Sequence, residues 1–172
     1  SGFAAGPVAT LIPDIFLRPA PGGGWDIELN PDTLPRLIED RAYAARLSAG
    51  GREARAFGAE CRAGASWLRR SLDQRARSIL KVAAEIVRHQ DRFFAEGIAG
   101  LRPLTLRMVA EATGLHESTA SRVTANKYIS TGRGIFELKL FFTNAIGGEG
   151  MAAESVRHRI RAMIDAEAPA HI

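Results

Sequence analysis

Between Glu117 and Lys127 the chain sets out short polar groups and one long fork donor at helical spacing: Glu117, Ser118, Ser121, Arg122 and Asn126, with Lys127 directly after. The chemistry open to such a set is recognition rather than catalysis. An arginine guanidinium bonds bidentately to guanine O6 and N7, and a good base contact of this kind contributes roughly 1–3 kcal/mol of discrimination. Arg122 is the expected base reader. Ser118, Ser121, Asn126 and Lys127 are expected to donate to phosphates and so to position the protein on a duplex. Ser118, Thr119 and Ser121 are mediocre helix formers, odd choices for an ordinary solvated face. Glu117 has two readings, an acceptor for cytosine N4 or a cap on its own helix. Arg133, flanked by Gly132 and Gly134, also has two: a phosphate contact, or a contact with another part of the same protein.

The elements that must carry these groups read as a helix-turn-helix. A first helix starts near Thr105 and bears Val109 and Ala110; Gly114 follows four residues after Ala110. A steep turn between two helices needs a residue that tolerates positive φ, which glycine does without steric cost. Leu115 is expected to plug the angle, and Ala120 and Val123 to face inward at i, i+3. The second helix is expected from about Glu117 to Asn126. The same pattern also fits a plain pair of helices packed in a core. Phe136, Leu138, Phe141 and Phe142 read as core rather than as a wedge into DNA.

Other chemistries find little support. Cys61 is the single cysteine of 172 residues, so no intrachain disulfide and no cysteine-rich zinc site can form. His89, His116, His158 and His171 lack ligand spacing. No metal, cofactor or paired catalytic site is expected. No stretch approaches a membrane span and no signal-peptide pattern opens the chain, so the expected location is the cytoplasm. The formal net charge is +4, from 23 basic and 19 acidic residues, nearly all the basic ones being Arg. That balance fits a nucleic-acid partner, but each half of the chain carries the same excess, so any basic site must be local.

The expected fold is mainly α, in two domains divided at residues 97 and 98. Ile12, Ile15 and Leu17, a Pro/Gly-rich loop and the alternating Trp25–Leu29 run predict a small N-terminal β-hairpin. A lone hairpin is marginal in water, so Trp25, Ile27 and Leu29 should pack on the helices that follow. A helical bundle comes next. Asn30-Pro31-Asp32 signals a helix start, with Leu34, Leu37, Ile38, Tyr43 and Leu47 as its stripe and Gly50-Gly51 as its end. A second helix is expected over 52–70 with Phe57, Cys61 and Leu68 inward. A third carries Leu72, Ile79, Val82, Ala83, Ile86, Val87, Phe93 and Phe94; Ser71 either caps it or continues the second helix into it. Gly97 and Gly100 close that region. The helix-turn-helix domain then runs from 98 to 172, with an amphipathic helix expected over 152–166.

The second domain resembles the sigma-54 class of bacterial RNA polymerase sigma factors. The segments HESTxSRVTxxKY and RGxFELKxFF carry the resemblance, with LRPLTLRMVAEATGL before them and IDAEAP after. LIPDIFLRPAPGGGWDIELNPDTLPRLIEDRAY and SWLRRSLDQRARSILKVAAEIVRHQDRFF are similar to the part of these factors that binds core polymerase, so the likeness covers nearly all of the chain. It implies that residues from about Pro13 to Phe94 dock on core RNA polymerase. It implies that residues from about Leu101 to Ala168 lie near the minus-twelve element of promoter DNA, with Arg122 at that element. A separate ring-shaped ATPase activator remodels such complexes. No G-x-x-x-x-G-K-[ST] loop occurs in this sequence, so the expectation is a non-catalytic polymerase subunit, a monomer when isolated. The family's Gln/Leu-rich N-terminal activator segment and its C-terminal ARRTVAKYRE box are not in the sequence, and the expectation is a fragment of a longer factor. The competing reading is a stand-alone helix-turn-helix regulator whose first domain dimerises or senses a ligand.

Overall fold

A computed structural model describes residues 11–142. The chain opens with the expected hairpin, β1 (Ile15–Pro19) and β2 (Trp25–Leu29), paired antiparallel with Ile15 opposite Leu29. Ile15 and Leu17 are buried, while Ile12 stays largely in solvent. Trp25, Ile27 and Leu29 pack against the main core, as the marginal stability of an isolated hairpin requires. The Trp25 indole meets Phe94 edge to face at 5.9 Å, and its Nε1–H donates to Asp91 Oδ1 at 2.9 Å.

The Asn30-Pro31-Asp32 start signal is real but produces only a single 3-10 turn, Pro31–Thr33, capped by the Asn30 side chain. Leu34 lies before Pro35, which disfavours helical backbone at the preceding residue, and its φ of −91° and ψ of 135° are extended. The helix therefore restarts later. Helix α1 (Arg41–Ala49) is capped by Asp40, whose side chain accepts from the Tyr43 amide. Leu37 and Ile38 are exposed rather than part of a helical stripe.

The two helices expected over residues 52–94 are one long rod and a short cap. Helix α2 (Arg52–His89) has 38 residues, about 57 Å at 1.5 Å per residue. Ser71 continues it. Gly58 and Gly64 each weaken the rod by only about 1 kcal/mol, and Gly58 has a use: a Cβ there would lie 3.3 Å from Leu47 Cβ, so its absence lets α1 approach. The inward positions expected in the first half are corrected. Phe57 is 50% exposed, Leu68 39%, and Cys61 is also exposed; among the described elements, nine-residue α1 is the one that packs on this part of the rod. The second half behaves as its periodicity predicts, with Ile79, Val82, Ala83, Ile86 and Val87 buried. Helix α3 (Asp91–Glu96) contributes buried Phe93 and Phe94.

Helices α4 (Leu106–Thr113) and α5 (Glu117–Thr124) follow, then a second hairpin, β3 (Tyr128–Thr131) and β4 (Gly134–Glu137), and a 3-10 turn at Leu138–Phe141. The sheet order is β2-β1-β3-β4, with β1 parallel to β3 through Ile15–Ile129 and Phe16–Ser130. A strand pair from before residue 97 and one from after it thus form one sheet. The apolar cluster spans the same position: Ile15, Ile86, Phe93, Leu104, Ile129, Phe136 and Phe141 belong to it together. Phe93 sits at the centre of the aromatic part, 5.2–5.4 Å from Phe94, Phe136 and Phe141, all edge to face. Phe136, Leu138, Phe141 and Phe142 are all buried, so they are core. The helix expected over 152–166 lies outside the described residues. Among the described residues no helix is long and apolar enough to cross a membrane.

Candidate nucleic-acid interface

The sequence builds the helix-turn-helix with short-range chemistry. Thr105 caps α4, its Oγ1 accepting from the Met108 amide at 3.2 Å. Gly114 ends that helix at φ 69° and ψ 23°, the left-handed region where a side chain is strained. Its N–H and that of Leu115 both donate to Ala110 O. Leu115 packs against the core, filling the angle between the helices as expected. Helix α5 starts at Glu117 and stops at Thr124, two residues short of the expected end. Ala120 and Thr124 face inward and are fully buried, and the Thr124 hydroxyl donates back to Ala120 O at 2.9 Å. Val123 is half-buried against the core.

This places the recognition residues as follows. Ser118 and Arg122 are exposed, and Ser121 is half-buried beside them. Glu117 occupies the first turn of α5, where a carboxylate favours the helix dipole. The cap position is His116, and no side-chain hydrogen bond caps the helix, so of the two readings of Glu117 the side-chain cap is not formed. Asn126 has a backbone role: at φ 54° it is the one non-glycine residue with positive φ among those described, and it turns the chain from α5 into β3. Its side chain is exposed at that turn.

Arg122 and Lys127 come together. They line one open groove with Thr119 and Val123 of α5 and with Arg75 and Ile79 of α2. Arg75 is the residue the sequence reading passed over, since the run Arg69, Arg70, Arg75, Arg77 reads as a solvated face. A signal was present: Arg75 lies one turn before Ile79, at the edge of the buried stripe of α2, and so on the side where α5 packs. Among the described residues no carboxylate pairs with Arg75, Arg122 or Lys127. Asp14, nearby in the adjoining groove, accepts from the Tyr128 amide at 3.0 Å. The groove therefore presents three cations drawn from two helices and a turn, none in an ion pair with a described residue, with Asp14 beside Arg75 and Lys127 in the adjoining groove. The cation on α4 is different. Arg107 donates to Glu111 at 2.9 Å, and that hydrogen bond, reinforced by the carboxylate's charge, raises its pKa.

Arg133 is not part of this groove. It sits at the tip of the β3–β4 hairpin, and its guanidinium donates to Phe94 O at 3.0 Å and to Ala95 O, the last carbonyls of α3. Of its two readings, the contact within the protein is formed. Among the described residues no His, Cys, Asp and Glu cluster has the makings of a metal site.

Two short helices joined through a left-handed glycine, the second bordering a basic groove, define a helix-turn-helix protein. The chain belongs to the sigma-54 family of RNA polymerase sigma factors. The family profile "Sigma-54, DNA binding domain" matches residues 55–172. The RNA polymerase sigma-54 factor of Caulobacter vibrioides is 58% identical over 167 residues, covering 94% of this chain and 34% of its relative. RNA polymerase sigma-54 factor 2 of Bradyrhizobium diazoefficiens is 54% identical over 176 residues, covering 99% and 33%. The chain thus spans about a third of the length of these curated relatives. Among solved structures, Aquifex aeolicus sigmaN bound to promoter DNA superposes with a TM-score of 0.64 at 28% identity, over 97% of this chain and 50% of that one.

Proposed function

We propose that this chain is the polymerase-docking and helix-turn-helix part of a bacterial transcription initiation factor of the sigma-54 type, acting in the cytoplasm. Residues before about 97 dock on core RNA polymerase. Helix α5 lies on promoter DNA near the minus-twelve element, with Arg122 reading bases and Ser118, Ser121 and Lys127 on phosphates. Arg75 joins them as a phosphate contact from the long helix. Residue 97 does not divide the packing, since one sheet and one core run across it, and Arg75 carries the DNA contact back into the long helix. The observation that carries this reading is the groove in which Arg75, Arg122 and Lys127 meet, none ion-paired with a carboxylate among the described residues. The likeness to a sigmaN solved on promoter DNA supports it.

The chain itself is a non-catalytic subunit and needs no cofactor. Energy for opening DNA comes from a separate ATPase activator acting on the full factor. The test is co-migration with purified core polymerase in gel filtration, run beside the chain alone. A monomer that shifts with core supports the assignment. A dimer that ignores core and binds a palindromic duplex would instead identify a stand-alone regulator.

A further inference from the structure

The segment that enters the helix-turn-helix contains Gly97 and Gly100, and glycines at such a place invite the reading of a hinge. The packing is the opposite of a hinge. Gly100 is buried with its Cα against the backbone of α3: a Cβ there would lie 2.3 Å from Arg92 O and 2.8 Å from Phe93 N. Gly100 serves close approach, which only a missing side chain permits. Gly97, at φ 90°, lies under the Arg133 guanidinium, where a Cβ would stand 3.3 Å from Nη1.

At the end of the long helix stands Gln90, fully buried. Its Nε2–H donates to Arg102 O at 2.7 Å, and its Oε1 accepts from Arg102 N at 2.9 Å. Both halves of one amide side chain close on the peptide groups of one residue twelve positions on. Beside it, His89 Nε2 lies 2.8 Å from Pro103 O, a carbonyl that can only accept. Three residues after Arg102 comes Thr105, the cap of α4. Two further ties cross the same joint: Lys81 Nζ to Thr113 O at 3.3 Å, and Arg133 to Phe94 O and Ala95 O. A buried amide is costly unless satisfied, and one satisfied in two directions holds its partner's backbone in place.

We infer that Gln90 is a positioning residue: it pins residues 102 and 103 to the end of α2, so that the long rod and the recognition helix move as one lever. Docking or force at the exposed first half of α2 then reaches α5 without slack. This inference rests on the reading of α5 as the recognition helix, but its test does not need DNA.

Nitroxides on Cys61, the single cysteine of the sequence, and on Ser118→Cys place one label on each side of the joint. Pulsed electron resonance on the full chain should give one narrow distance distribution. Gln90→Met keeps the bulk and loses both hydrogen bonds; it should broaden the distribution or split it while the circular dichroism spectrum stays folded. A lower melting temperature with an unchanged distribution would show a merely stabilising role and overturn the inference. The unsubstituted chain supplies a second reading. Exchange of the Arg102 amide should be slowed about a thousandfold relative to a free peptide, as for an amide released only by cooperative opening. Rapid exchange there overturns the inference whatever the variant does. If the labelled chain shows the lever but the unsubstituted, unlabelled chain does not bind promoter DNA, the recognition-helix reading fails and the clasp stands.

Discussion

Arg75 and Arg122 lie 47 positions apart in sequence and line the same groove, one at the edge of the long helix and the other on the second helix of the helix-turn-helix. Neither has a carboxylate partner among the described residues. The inward faces of the two helices put them there: buried Ile79 of α2 and half-buried Val123 of α5 line the same groove, and the cations at their margins converge.

The two arginines should fail differently. Arg75→Ala is expected to weaken binding by a similar factor on every duplex and to reduce the dependence of log K on log salt by about 0.9, the release of one phosphate's counterions. Fluorescence anisotropy across a salt series on promoter and scrambled duplexes reads both quantities. Lys127→Ala should behave like Arg75→Ala.

The recognition helix and its turn were legible because their determinants are local: Thr105 as cap, Gly114 as left-handed exit, Ala120 and Val123 inward. The N-terminal hairpin was legible for the same reason, being an alternating strand pattern beside a Pro/Gly turn; the second hairpin, Tyr128–Thr131 with Gly134–Glu137, was not read as one. The misreadings concern distant partners. Whether Phe57, Cys61 and Leu68 are inward depends on what covers the long helix, and short α1 covers little of it. The pairing of β1 with β3 joins residues more than a hundred positions apart, and no local pattern specifies it. The contact of Arg133 with α3 was one of two open readings, because nothing in its sequence neighbourhood shows that α3 ends beside it.

Arg133→Ala should therefore act on stability. Losing a charge-assisted pair of hydrogen bonds, discounted for solvent exposure, is expected to cost about 1 kcal/mol. Thermal unfolding should show that loss, while the salt slope for DNA stays at its original value. A smaller slope would return Arg133 to the phosphate contacts.

Three glycines should respond to alanine in a fixed order. Gly64 lies in the middle of α2 with nothing within 4 Å of a new Cβ, so Gly64→Ala should stabilise by up to about 1 kcal/mol. Gly114 also has open space but sits at φ 69°, so Gly114→Ala should destabilise by about 1–2 kcal/mol through backbone strain alone. Gly100→Ala meets backbone at 2.3 Å and should be the worst of the three. Chemical denaturation of the three variants checks the ranking.

If α5 reads promoter DNA through Arg122, one comparison shows it. The affinity of the chain and of Arg122→Ala is measured on a promoter duplex and on the same duplex with its minus-twelve element replaced. The chain should prefer the intact element, and Arg122→Ala should lose roughly 1–3 kcal/mol of that preference while keeping most of its affinity for the replaced duplex. An undiminished preference in Arg122→Ala, or no preference in the chain bound to core polymerase, would contradict this reading.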